Sequence, residues 1–130
     1  MTPLSRQTQE SALHKLEKHP RTAIGTTENG DLVIIVYSGR TKKSVGADYR
    51  EMSEIARRMF PDIRTLMNVD GGGSAVLGMV TNGRFMELSY PSTSTDSCVG
   101  MTRPVNTVLY IDIIYVYKLT LTFSPYTSIP

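Results

Sequence analysis

The dipeptide Asn-Gly occurs twice, at Asn29-Gly30 and Asn82-Gly83, and each copy stands between two short runs of strand-forming residues. Asn and Gly together supply the positive φ angles of a tight reversal, so each pair commits its flanks to antiparallel pairing. The first predicts a β-hairpin from residues 22–26 and 32–37, joined across Glu28-Asn29-Gly30-Asp31. The second predicts a hairpin from residues 75–80 and 84–88. A chain of 130 residues has room for one domain with one modest core, and no internal repeat interrupts that reading.

Between the hairpins the period changes. Met52, Ile55, Ala56 and Met59 fall at helical spacing and give residues 48–60 one apolar stripe. Asp48 is placed to cap the first turn, with Glu51 three residues on as in a capping box, and Pro61 stops the helix. Residues 65–69 then read as a short buried strand ending at Asp70. Strand, helix and strand in this order predict a right-handed β-α-β crossover with parallel strands, which carries Asp70 to the carboxyl edge of the sheet. Ligands of open α/β sheets gather at that edge. The expected fold class is α/β in the mixed α+β sense: a mixed sheet of hairpins plus one β-α-β crossover, with one main helix. Residues 11–18 suggest a short helical lead-in, residues 89–100 a Ser- and Thr-rich loop, and residues 107–113 a last strand. The remainder is a strand-like, Pro-bounded tail with the marks of an aggregation-prone edge, expected to be dispensable.

Composition excludes several classes. A formal net charge of +2 and basic runs no longer than Lys42-Lys43 or Arg57-Arg58 argue against nucleic acid as partner. The single cysteine, Cys98, rules out an internal disulfide and a cysteine-based zinc site, and nothing near His14 or His19 completes a Cys-His pair. No metal site or cofactor is expected. The first 18 residues lack the apolar stretch of a signal peptide. The apolar run over residues 105–123 is interrupted by Asn106, Asp112 and Lys118, so it is strand material and not a membrane span.

The strongest chemical signal is Asn68-Val69-Asp70-Gly71-Gly72-Gly73-Ser74. Three consecutive glycines are entropically costly to fix in place. They serve either as a bare turn between strands or as a clearing in which backbone N–H groups approach a phosphate or sugar. Asp70 beside them offers a carboxylate able to accept sugar hydroxyls, orient a nucleophile, or act as acid or base. Neither a Walker loop nor a dinucleotide fingerprint fits, because the Lys and the required glycine spacing are missing. His19-Pro20-Arg21-Thr22 and Arg103-Pro104-Val105-Asn106 each place an arginine at a strand entrance. Such arginines are either surface charges or, as a pair, a bidentate clamp on a phosphate.

The ordered set His19-Pro20-Arg21-Thr22-Ala23-Ile24-Gly25, Asn29-Gly30, Gly39-Arg40, the helix, Asn68 to Ser74, Asn82-Gly83 and Arg103-Pro104-Val105-Asn106 resembles the phosphodiester glycosidase family. The likeness covers residues 19–111, leaving residues 1–18 as lead-in and residues 112–130 as a tail without family counterpart. It implies hydrolysis of the bond between a sugar's anomeric carbon and a phosphate oxygen, with a glycosyl phosphodiester or related carbohydrate as partner. It implies Asp70 as the catalytic residue and Arg21, Thr22, Gly71, Gly72, Gly73, Ser74, Arg103 and Asn106 as the substrate-binding pocket. Two departures accompany it. Tyr37-Ser38 stands where the family tends to have an acidic residue before Gly-Arg, and nothing here matches the family's glycine- and aromatic-rich N-terminal section. A shortened copy of the domain is therefore expected, with a non-catalytic carbohydrate- or phosphate-binding module, or an inactive fragment, as the alternative function.

Overall fold

A computed structural model describes residues 15–90, 104, 105 and 107–112. Strands β1 (Arg21–Thr27) and β2 (Leu32–Tyr37) form the expected hairpin, followed by helix α1 (Tyr49–Met59) and strand β3 (Ile63–Gly71). A single 3-10 turn, Gly72–Ser74, leads to strands β4 (Gly78–Thr81) and β5 (Arg84–Glu87), the second expected hairpin.

The two turns differ. In β4–β5 both Asn82 (φ 52) and Gly83 (φ 71) take the left-handed conformation between the paired Thr81 and Arg84, a two-residue reversal. In β1–β2 only Gly30 (φ 86) does so. There Gly30 N–H donates to Thr27 O at 3.0 Å and Thr27 N–H to Asp31 O at 3.0 Å, a three-residue loop closed by a glycine bulge.

β1 lies in the middle of a three-stranded sheet of order β2-β1-β3 and is antiparallel to both neighbours. It follows that β2 and β3 run in the same direction, as the crossover reading expects. They are not adjacent, however, so the crossover is a split one and every ladder is antiparallel. The closed hairpin leaves one free edge on β1 and one on β2. The returning strand takes the β1 edge, where Gly25 leaves room for the Thr65 carbonyl.

Alternation along β1 and β2 sends Arg21, Ala23, Val33, Ile35 and Tyr37 to one face, where α1 covers them. Ala23 and Ala56 are both fully buried, so the helix approaches the sheet at its smallest side chains. Met52 joins this core, with Tyr49, Ile55, Phe60, Ile63 and Leu66 packed around it. Asp48 is the N-cap: its Oδ1 accepts from Glu51 N–H at 2.8 Å, and Glu51 Oε2 accepts from Asp48 N–H at 3.1 Å. The buried Glu51 carboxylate also receives Lys18 Nζ at 2.6 Å. Tyr37 donates its hydroxyl to Met52 O at 2.8 Å, and burial pushes its phenol pKa well above the ordinary value.

Residues 107–112, expected within the last strand, are not in a strand, and Val108, Leu109 and Tyr110 are exposed. β-branched residues form strands where an edge and an apolar face receive them, and no described strand pairs with this run. The lead-in over residues 11–14, the loop over 91–100 and the tail from residue 113 lie outside the described residues.

Candidate functional site

The ladders bring three chain ends level. Arg21 pairs with Tyr37 on one side and with Gly71 on the other, so the start of β1, the end of β2 and the end of β3 share one edge. The loop after β2 folds back onto that edge. His19 N–H and Ala47 N–H exchange hydrogen bonds with each other's carbonyls at 3.3 and 2.9 Å. This return needs glycine: a Cβ on Gly39 would stand 2.7 Å from Gly46 Cα and 2.9 Å from Pro20 N.

The glycine run closes against the same residues. Gly72 N–H donates to Pro20 O at 2.8 Å, and a Cβ on Gly71 would stand 2.9 Å from that oxygen. Gly73 is buried and Ser74 half-buried in the 3-10 turn that follows. Asp70 is exposed, its Oδ1 accepting from Gly71 N–H at 2.7 Å. Thr22 stands directly across from Asp70 in the ladder, which puts both side chains on the face away from α1. The Thr22 hydroxyl oxygen is buried and has no hydrogen-bond partner.

Arg21 goes the other way. It is 1% exposed, with its Nε–H donating to Ala47 O at 3.2 Å and Nη2 to Glu17 O at 2.9 Å. Its guanidinium lies 4.7 Å from the centre of the Tyr49 ring, a cation–π contact. Asn68 Nδ2 donates to the Tyr49 hydroxyl at 3.3 Å, while Asn68 Oδ1 is buried without a partner. A bulge explains how Asn68 and Asp70 reach opposite faces although two apart: Ala23 pairs with Asn68 and Thr22 with Asp70, leaving Val69 as the extra residue.

Thr22, Asp70, Gly71, Gly72, Gly73 and Ser74 are thus gathered at one edge, and Arg21 lies beneath it on the helix side. Arg103 and Asn106 lie outside the described residues. Sequence reasoning passed over Arg40 as a binding residue, although Gly39-Arg40 stands among the ordered motifs. Arg40 is exposed, in left-handed conformation (φ 55), with its guanidinium beside Gly72. A shallow cleft of about 180 Å³ lies at the opposite end of the sheet, between α1 and the start of β3, with Arg57 and Arg64 in its wall. It contains no carboxylate and lies away from the glycines. Among the described residues no three His, Cys, Asp or Glu side chains gather as a metal site, and no helix is long and apolar enough to cross a membrane.

The described residues form a small α+β unit with an aspartate and a glycine run at one sheet edge, beside the start of an arginine-bearing strand. The chain belongs to the phosphodiester glycosidase family, whose model matches residues 4–112. It is similar to N-acetylglucosamine-1-phosphodiester alpha-N-acetylglucosaminidase of Bos taurus, with 36% identity over 92 residues. That match covers 70% of this chain but 16% of the bovine protein's length. No solved structure matches the chain.

Proposed function

We propose that the chain carries the catalytic edge of a hydrolase that cleaves the sugar–phosphate bond of a glycosyl phosphodiester, with Asp70 as the catalytic carboxylate. In that reaction a water oxygen bonds to the anomeric carbon as the carbon–oxygen bond to phosphate breaks. The bonding pair leaves with the phosphate monoester, and the proton lost by water is released. A phosphate monoester has a second pKa of about 6, so it departs with little acid assistance. The site's task is then to hold phosphate and to stabilise positive charge developing on the sugar ring, for which one ionised carboxylate suffices. Ordinary glycosidases need a second carboxyl group as acid.

The observation that carries this reading is the exposure of Asp70 on the face opposite Arg21, across from the unpartnered Thr22 hydroxyl and flanked by residues without side chains. A sugar phosphate finds there an exposed carboxylate able to accept from its hydroxyls. Asp70→Asn keeps the shape and removes the charge. Turnover of an N-acetylglucosaminyl phosphodiester is expected to fall about a hundredfold or more while the Tm barely moves. A modest fall of activity and stability together, by about 1 kcal/mol, identifies Asp70 as a turn cap instead. The second reading, a non-catalytic phosphate- or carbohydrate-binding module, is favoured by the use of Gly71 and Gly72 in close approach to Pro20, and it predicts binding without turnover.

A further inference from the structure

We infer that Arg40 is the cation that contacts the substrate's phosphate, and that Arg21 supports the edge from below. This inference rests on the phosphodiester reading of the Asp70 edge. Arg21 is 1% exposed and its guanidinium is bonded to two main-chain carbonyls and stacked on Tyr49. Reaching a ligand at the edge would require breaking those bonds and uncovering Tyr49. Its geometry is that of a strut.

Arg40 has the opposite character. Its guanidinium faces the glycine run: a Cβ built on Gly72 would lie 3.4 Å from Nη2 and 3.6 Å from Nη1. Both fork nitrogens are thus held beside a position with no side chain, on the turn that begins just past Asp70. Among the described residues its side chain has one hydrogen bond, a long one with Nη2 donating to His19 Nδ1 at 3.5 Å, and no carboxylate pairs with it. His19 is oriented in turn by Glu17, whose Oε2 accepts from Nε2 at 2.9 Å.

The backbone points to the same conclusion. Arg40 sits at φ 55, a conformation that costs a side-chain-bearing residue free energy. The loop enforces it: Ser44 Oγ donates to Ser38 O at 2.6 Å, Thr41 N–H donates to Ser44 O at 2.9 Å, and Gly39 is wedged between Gly46 and Pro20. A glycine would fit here without strain, and the chain has an arginine whose planar fork matches two phosphate oxygens.

The test measures binding of inorganic phosphate and of N-acetylglucosamine 1-phosphate to the full chain by calorimetric titration, alongside turnover of an N-acetylglucosaminyl phosphodiester. Arg40→Gln keeps the backbone preference and removes the charge. It is expected to weaken binding of both phosphates about tenfold or more with the Tm unchanged, and Arg40→Lys to recover only part of the loss. Arg21→Gln is expected to lower the Tm. Phosphate affinity that is absent from the unmodified chain, or unchanged in Arg40→Gln, overturns the inference. Turnover with phosphate affinity independent of Arg40 overturns it and leaves the glycosidase reading standing. Arg40-dependent phosphate binding without turnover supports the phosphate contact and removes the glycosidase reading.

Discussion

The two hairpins begin from the same dipeptide and end differently. β1–β2 alternates buried and half-buried positions, because α1 closes one of its faces. β4–β5 is mostly exposed: Val80 is 68% and Phe85 64% open to solvent. Its main internal packing is Phe85 lying across Gly78, where any Cβ would collide with the ring. Turn chemistry therefore decides that two segments pair, while burial decides how firmly the pair is held. An isolated two-stranded hairpin is marginal in water, and it becomes secure once a helix or third strand covers it.

The sharpest way to break the comparison is to empty the core that only the first hairpin shares. Met52→Ala is expected to cost about 2–5 kcal/mol in urea unfolding followed by circular dichroism. A loss below about 0.5 kcal/mol would show that α1 does not secure β1–β2. Removing the helix cap comes next. Asp48→Ala should lower stability by about 0.5–2 kcal/mol in the same measurement, since it removes the carboxylate that accepts from Glu51 N–H. Tyr37→Phe, which deletes the bond to Met52 O, is expected to cost about 1 kcal/mol.

Tyr37 also gives a pH signature. With its phenol pushed up by burial, the folded chain keeps a proton that the unfolded chain loses near pH 10. Stability should fall as pH climbs past that value, and Tyr37→Phe should flatten the fall. The smallest effect belongs to the second hairpin. Phe85→Ala should change global stability by about 0.5 kcal/mol or less, although it loosens β4–β5 itself, as amide exchange of Val80 would report.

Local signals were legible in the chain. The Asn-Gly turns, the Met52-Ala56 stripe and the Asp48-Glu51 box each specify their element from within a few residues. What could not be read was the choice of edge. Nothing in residues 65–69 says whether they join β2 or β1, because the closed hairpin leaves each of its strands one free side. The site shows the same division. Asp70 and the glycines were visible as a run, but Arg21 falls on the inward series with Ala23, whereas Ile24 is on the outward one. An apolar residue pointing out and a charged one pointing in reverse the usual pattern, and only the contacts with Tyr49, Ala47 and Glu17 explain it. Residues 107–112, whose β-branched composition predicts a strand, are not in one, since propensity alone does not fix a pairing.

The split crossover has a consequence in time. β1 leaves the ribosome before β2 and waits with one side unmatched until α1 and β3 have been made. At about 5–20 residues per second, the glycines emerge roughly 2–10 s after Arg21. During that interval Asp70 has no strand to stand on. The ladder that levels Gly71 with Arg21 joins the residues farthest apart in sequence within the sheet, and such long-range closures set the pace of folding. The edge that gathers Asp70 and the glycines is therefore the last part of this sheet to close.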